Sequence, residues 1–287
     1  MRALTIGTFD GLHAGHMAIL TRLKELGEPT VVTFAQHPSS LFSKTPIPSI
    51  TTLSHKIHLL ELAGIRNMIV HPFTKEFSQQ TAQEFLKTLK EEVDFSHLVL
   101  GYDAKLGYRQ EGTRECIEAL GKELGFTVEY IEPVEINNEV VSSSRIRASI
   151  QSQDLAGVEK FLLRPYSIFS TVEHGQKNGA KIGYCTANLD VSGLCLPTPG
   201  VWAVRVRHQN KLYAAVANLG IAPTFYKKRP CLLEVHLIDQ ECSLYGESIE
   251  VIFLEYLRPE RCFETPDALK GQIAQDIQHA KTITMRA

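Results

Sequence analysis

Over the first 150 residues or so, the hydrophobic period of this chain switches repeatedly between strand and helix patterns. Leu4-Thr5-Ile6, Thr30 to Phe34, Asn67 to Val70, His97 to Leu100 and Thr127 to Ile131 read as strands, rich in β-branched and apolar residues. Helical patterns separate them. One opens at His13 and runs through Leu23; Ser54 to Ala63 is stopped by Gly64; Ala82 to Leu89 is capped by Thr81, with Glu84 at the capping-box position; Arg114 to Gly121 is the last. Parallel strands need crossovers, and helices are the usual ones, so the pattern predicts a parallel sheet covered by helices on both faces. Ligands of such sheets bind beyond the carboxyl ends of the strands. Gly7-Thr8-Phe9-Asp10 and Gly101-Tyr102-Asp103 both follow strands, so both belong on that edge.

The period then changes for good. Asp154 to Leu163 is a short amphipathic helix ending at Arg164-Pro165, and from Tyr166 the chain is β-rich. Val201 to Arg207 and Lys211 to Ala217 form a hairpin across Gln209-Asn210. Tyr166 to Val172, Leu232 to Ile238 and Ile249 to Leu257 add further strands, and Pro266 starts a last helix through Leu269, Ile273 and Ile277. Successive strands joined by turns predict a closed antiparallel barrel with that helix packed on it. With 287 residues there is room for two domains, 1–165 and 166–287.

The first strand turns into a helix within Gly7 to His16, where free backbone N–H groups and the positive end of the helix dipole meet. His13 and His16, three apart, share a helix face, and Gly15 between them leaves room for a ligand. Taken alone, such a pair is equally a surface helix start or half of a metal site. A second anion-binding candidate follows in Val141 to Ile150: Ser142, Ser143 and Ser144 cap a helix, and Arg145 and Arg147 carry planar cationic forks. No G-x-x-x-x-G-K-[ST] and no G-x-G-x-x-G after a strand is present, which excludes a P-loop and a dinucleotide fingerprint. The formal charge of −2 does not recruit nucleic acid, and no apolar run approaches 18 residues, so neither nucleic-acid nor membrane partners are expected. The N-terminus enters the first strand directly, so a signal peptide is not expected. Six scattered cysteines without C-x-x-C spacing read as free thiols, in keeping with a cytoplasmic location.

The strand followed by G-T-F-D-G-L-H-A-G-H, with a later S-S-S-R-I-R, resembles the HxGH nucleotidylyltransferases. Within them it is similar to the adenylyltransferase half of the bacterial bifunctional riboflavin kinase/FMN adenylyltransferase (FAD synthetase) family. Thr33-Phe34 leading to His37-Pro38, and Gly101-Tyr102-Asp103 leading to Gly107, extend the likeness. In the second half, three glycines four apart (Gly175, Gly179, Gly183) run into Thr186-Ala187-Asn188, which resembles the flavokinase signature. Gly200-Val201-Trp202, Asn218-Leu219-Gly220, Glu234-Val235-His236 and Leu244-Tyr245-Gly246 follow in the family's order. Departures are Gln36 for a proline before His37, Ala104 and Leu106 for aromatics, Cys185 for a proline, Trp202 for a tyrosine and Ala222 for an arginine.

The resemblance implies two reactions. In one, a phosphate oxygen of FMN attacks the α-phosphorus of ATP, giving FAD and pyrophosphate. That phosphate is already ionised, so catalysis reduces to positioning and charge stabilisation. His13 and His16 would hold the ATP phosphates, Ser144 and Arg147 the leaving pyrophosphate, and Gly7, Phe9, Asp10, Gly15, Asp103, Ser142 and Arg145 the nucleotide or flavin. In the other, the primary alcohol of riboflavin attacks the γ-phosphorus, which calls for a base. Glu234 is that base: Leu233, Val235 and Leu237 point to one face of their strand and Glu234 to the other. Thr186 and Asn188 supply oxygen ligands for Mg²⁺ and the phosphates, and the glycines at 175, 179 and 183 let backbone amides approach. Two alternatives stay open: a chain with only riboflavin kinase activity, and a non-catalytic flavin or nucleotide sensor. Glu255, Arg258, Glu260 and Arg261 read as a solvated rim.

Overall fold

The structure, a computed structural model, describes residues 1–173, 184–221, 231–240 and 244–286. Contacts divide it into two compact units, Met1–Ser49 with Lys56–Arg145, and Ile50–His55 with Ile146–Ala287.

In the first unit the strands are β1 (Arg2–Ile6), β2 (Glu28–Phe34), β3 (Asn67–His71), β4 (His97–Gly101) and β5 (Thr127–Ile131). They form one sheet in the order β3-β2-β1-β4-β5, every pair parallel. The helices are α1 (Ala14–Leu26), α2 (Leu53–Leu62), α3 (Ala82–Val93) and α4 (Arg114–Leu124). Alternate residues of each strand face opposite sides, as the pleat requires. Leu4, Val32, Leu98 and Leu100 pack with Phe85, Leu86 and Leu89 of α3 and Ile117 and Leu120 of α4. Ala3, Val31 and Val99 pack on the other side with Leu20 and Leu23 of α1 and Leu59 and Leu60 of α2. Thr81 and Glu84 make the reciprocal capping box that starts α3. The chain winds outward from β1 to β3 and then returns to place β4 on the other side of β1. The switch point therefore lies at the carboxyl end of β1, where an open sheet of this kind binds its ligand. A small hairpin, β6 (Glu135–Ile136) and β7 (Glu139–Val140), turns at Asn137 and Asn138, both left-handed, φ 56° and 63°.

The division between the units falls inside α5 (Ser143–Gln151). The second unit continues with α6 (Leu155–Leu162), capped by Asp154, then β8 (Ser167–Glu173), β9 (Ala187–Asp190), β10 (Gly200–His208), β11 (Lys211–Ile221), β12 (Cys231–Leu237), β13 (Ser248–Arg258) and α7 (Pro266–Arg286). The strands close an antiparallel barrel in the order β10-β11-β12-β9-β8-β13. The β10–β11 hairpin turns at Gln209 and Asn210, with φ 47° and 63°, the left-handed pair that matches strand twist. The short β9 adds a strand that the sequence pattern does not predict; it begins inside the T-A-N stretch, at Ala187, and runs on to Asp190. Trp202 is buried against Phe253 and Tyr256. On α7 the fully buried contacts are Ala280 and Ile283, packed with Ala203 and Ile238, so the seam lies further along the helix than Leu269 and Ile273 suggested. Arg258 is no rim residue: buried Asp276 of α7 accepts from its Nε and Nη2 at 3.0 and 2.7 Å, and the Arg258 side chain is itself largely covered.

Candidate active site

At the switch point the strand–helix junction is strained and closely tied. Phe9 and Leu12 take left-handed backbone, φ 48° and 41°, which bulky side chains rarely adopt. Both are buried, and their packing supports the strain. A Cβ on Gly7 would lie 3.1 Å from the Phe9 ring, so that glycine makes room for the ring beside it.

His13 is the N-cap of α1, and His16 completes a reciprocal capping box. His16 N donates to His13 Nδ1 at 3.4 Å, and His13 N donates to His16 Nδ1 at 3.3 Å. Each Nδ1 accepts a backbone N–H, which places the ring proton on Nε2. Two imidazole donors are thereby oriented at a helix N-terminus, the end that favours anions. The rings stack at 3.7 Å with 18° between planes, and Phe9 lies 5.1 Å from the His16 ring. A Cβ on Gly15 would lie 3.2 Å from the His13 ring, so Gly15 clears space for that ring. Asp10 is buried at the same turn.

The serine-arginine segment meets this turn through Ser143, whose role differs from the capping expected of it. Ser143 Oγ donates to the Asp10 carbonyl at 2.9 Å, across 133 positions. Ser142 caps α5 by accepting from Arg145 N at 3.3 Å. Arg145 pairs with Glu139 of β7. Ser144 is exposed, and Arg147 is buried on the part of α5 that belongs to the second unit. Asp103 lies exposed in the turn after β4, where Ala104 N donates to Gly101 O. Ala104 and Leu106 are partly buried against the core under α3, not an open stacking face.

In the barrel, register brings Glu234 between two amides. On β12 it lies directly opposite Asn188 of β9 and Asn218 of β11, so the three side chains share one face. Leu233, Val235 and Leu237 are buried on the other face, as the alternation predicts. Burial and then the charge of Glu260 push the Glu234 carboxyl above its ordinary range. Glu260 accepts from Asn218 Nδ2 at 3.2 Å, and a Cβ on Gly220 would lie 2.5 Å from it. Glu260 is thus a neighbour of this row and not merely rim. Asn188 is buried and donates weakly to Thr186 O at 3.5 Å. His236 Nδ1 donates to Cys185 O at 2.8 Å, fixing the backbone just before Thr186. The contact uses the carbonyl and not the side chain, so it does not depend on which residue stands at 185. Gly175, Gly179 and Gly183 lie outside the described residues, as does Ala222. Among the described residues no group of three or more His, Cys, Asp or Glu side chains is placed to hold a metal ion. The oxygens of Thr186, Asn188 and Glu234 are hard donors of the kind Mg²⁺ takes alongside substrate phosphates.

The fold defines a chain with a parallel α/β sheet unit and a closed antiparallel barrel unit. Residues 1–145 match the family model described as FAD synthetase, and residues 162–284 the one described as riboflavin kinase. The bifunctional riboflavin kinase/FMN adenylyltransferase of Haemophilus influenzae is 37% identical over 287 residues, covering 97% of this chain and 93% of that protein. Its Escherichia coli K12 counterpart is 34% identical, covering 95% and 90%. A solved structure from Streptococcus pneumoniae, titled a macrolide-efflux protein, superposes with a TM-score of 0.80 at 28% identity, covering 98% of this chain and 94% of that one. No helix among the described residues is long and apolar enough to cross a membrane. The chain belongs to the bifunctional riboflavin kinase/FMN adenylyltransferase family.

Proposed function

We propose that the two reactions are divided at Arg164-Pro165, with residues 1–165 adenylylating FMN and residues 166–287 phosphorylating riboflavin. The chain makes FMN from riboflavin and ATP, and FAD from FMN and ATP. In the first reaction the riboflavin hydroxyl oxygen attacks the γ-phosphorus, Glu234 takes the hydroxyl proton, and ADP leaves. A carboxyl held above its ordinary range binds that proton more firmly than an exposed one. Asn188 and Asn218 hold Glu234 in register. Thr186 and Asn188 would hold Mg²⁺, which supplies charge neutralisation on the phosphates when bound.

In the second reaction an FMN phosphate oxygen attacks the α-phosphorus, and the bond to pyrophosphate breaks. The Nε2–H groups of His13 and His16 donate to the phosphate oxygens as charge shifts, aided by the α1 N-terminus. Ser144 and Arg147 hold the pyrophosphate end, Ser142 and Arg145 the nucleotide or flavin, and Asp103 contacts the substrate. The reading rests above all on the stacked, mutually capped His13–His16 pair at the switch point. A cytoplasmic setting suits the free thiols of Cys116, Cys185, Cys195 and Cys262. Incubation with riboflavin, ATP and Mg²⁺, with FMN and FAD resolved by chromatography, is expected to show FMN first and then FAD. FMN that never becomes FAD would leave a riboflavin kinase alone.

A further inference from the structure

Lys56, near the start of α2, is buried, with 7% of its surface exposed. Its Nζ donates to Phe34 O at 2.8 Å, Thr8 O at 3.0 Å and Thr33 Oγ1 at 3.1 Å. An ammonium has three protons, and these are three acceptors. Two lie at the end of β2 and one in the β1–α1 turn. Thr33 Oγ1 reinforces the link by donating to Thr8 O at 3.2 Å.

Burying a cation is costly, and packing alone would be met by a methionine or leucine. What this cation holds is the strained junction itself. Thr8 immediately precedes left-handed Phe9, and Leu12, also left-handed, immediately precedes His13. Strain of that kind persists only where the surroundings over-determine it. Because a trans peptide is planar, anchoring the Thr8 carbonyl also sets the direction of the Phe9 N–H.

We propose that Lys56 is a positioning residue for adenylyl transfer, its ammonium clamping the β1–α1 turn to the end of β2 and so setting His13 and His16 against the phosphates. The proposal rests on the reading of that histidine pair as the nucleotide site.

The clamp depends on protonation. Burial lowers the Lys56 pKa to about 8, against the opposing field of Asp10 on the turn; the β2 groups that accept from the ammonium, Thr33 Oγ1 and the Phe34 carbonyl, are uncharged.

The test uses the full chain, with FAD formation from FMN and ATP measured across pH 6–10 and riboflavin phosphorylation measured on the same preparation. Lys56→Met is expected to lower kcat for FAD formation roughly 10²-fold, as small misplacements of catalytic groups do, while riboflavin phosphorylation is retained. The parent rate should fall as pH rises through about 8, and the variant should lack that limb. FAD formation within twofold of the parent, or an unchanged alkaline limb in the variant, overturns the proposal. Should Lys56→Met not fold, Thr33→Val removes one acceptor of the clamp with little change of shape. A drop in FAD formation with kinase activity intact supports the clamp, and a parental rate overturns it. His16→Ala run alongside separates the two claims: if it retains FAD formation, the site assignment fails; if it loses FAD formation while Lys56→Met does not, only the clamp fails.

Discussion

His13 and His16 cap each other's backbone, so each ring is fixed by the other's main chain as well as by stacking. Removing one imidazole therefore takes away a donor and loosens its partner. His16→Ala is expected to cut FAD formation by about 10²–10³, the range for loss of a preorganised donor, while FMN formation stays at the parental rate. Product chromatography from riboflavin and from FMN distinguishes the two effects. Glu234→Gln should do the reverse, lowering FMN formation by about 10²–10⁴ and leaving FMN-to-FAD conversion intact. The Glu234 carboxyl is held above its ordinary range by burial and by Glu260, so the sign of its pH dependence follows. Below the raised value it is protonated and cannot accept a proton. The rate of FMN formation should climb with pH along a limb lying above the normal glutamate range. Replacing Glu260 with glutamine should move that limb to lower pH. The folded barrel binds this proton more tightly than the unfolded chain does. Stability is therefore lost as pH rises from the unfolded value through the folded one. Glu234→Gln should accordingly unfold at a higher temperature than the parent at neutral pH, a comparison that calorimetry makes directly.

At the scale of elements, what holds α7 to the barrel is decided by one buried pair as much as by apolar contact. Arg258 of β13 and Asp276 of α7 make two short charge-assisted bonds, and Gln272 Nε2 also donates to Asp276 Oδ1 at 3.0 Å. Asp276→Ala would leave the part-buried guanidinium without its carboxylate, at a cost somewhat below the about 3–5 kcal/mol typical of a fully buried ion. Trp202, the single tryptophan of the chain, is buried inside the barrel and reports on it. Urea unfolding followed by its fluorescence should show the midpoint of the variant shifted well below that of the parent. Arg258→Met with Asp276→Leu, removing both charges together, should recover much of the loss, because the penalty lies in the unpaired ion. The helices of the sheet unit depend more on local chemistry. The Thr81–Glu84 box, with Glu84 Oε2 accepting from Thr81 N at 2.8 Å, satisfies donors that α3 cannot satisfy internally.

For the whole molecule, two reactions on one chain run in the reverse of chain order: the second unit makes the FMN that the first consumes. The roles proposed for the two reactions fall on separate stretches of the chain, Gly7 to Arg147 and Gly175 to Glu234, so FMN is expected to leave one site and enter another. A mixture of the His16→Ala and Glu234→Gln proteins is therefore expected to convert riboflavin to FAD, although neither does so alone. FAD should appear after a lag that shortens as protein concentration rises, because FMN made on one molecule must reach a different one. A mixture that makes FMN but no FAD would show that the second step requires FMN delivered from within the same chain.

Much of this was decided by the sequence itself. Elements set by local rules came through: the alternation of periods across the first half, the Thr81 cap, the Gln209-Asn210 turn and the Leu233–Glu234–Val235 alternation each depend on neighbours a few residues away. The family was legible too, because the residues after β1 and the S-S-S-R-I-R stretch resemble it by their order. What only the tertiary structure decided was pairing over long separations. That Ser143 reaches Asp10, that Glu234 lies between Asn188 and Asn218, that Glu260 bears on it and that Arg258 turns to Asp276 depend on strand register and helix docking. Lys56 shows the difference most plainly: on a helical pattern it is one more charged residue, yet the fold buries it against Thr8, Thr33 and Phe34. A side chain's period says which face it takes, whereas its partner is chosen by which distant backbone the packed core brings within reach.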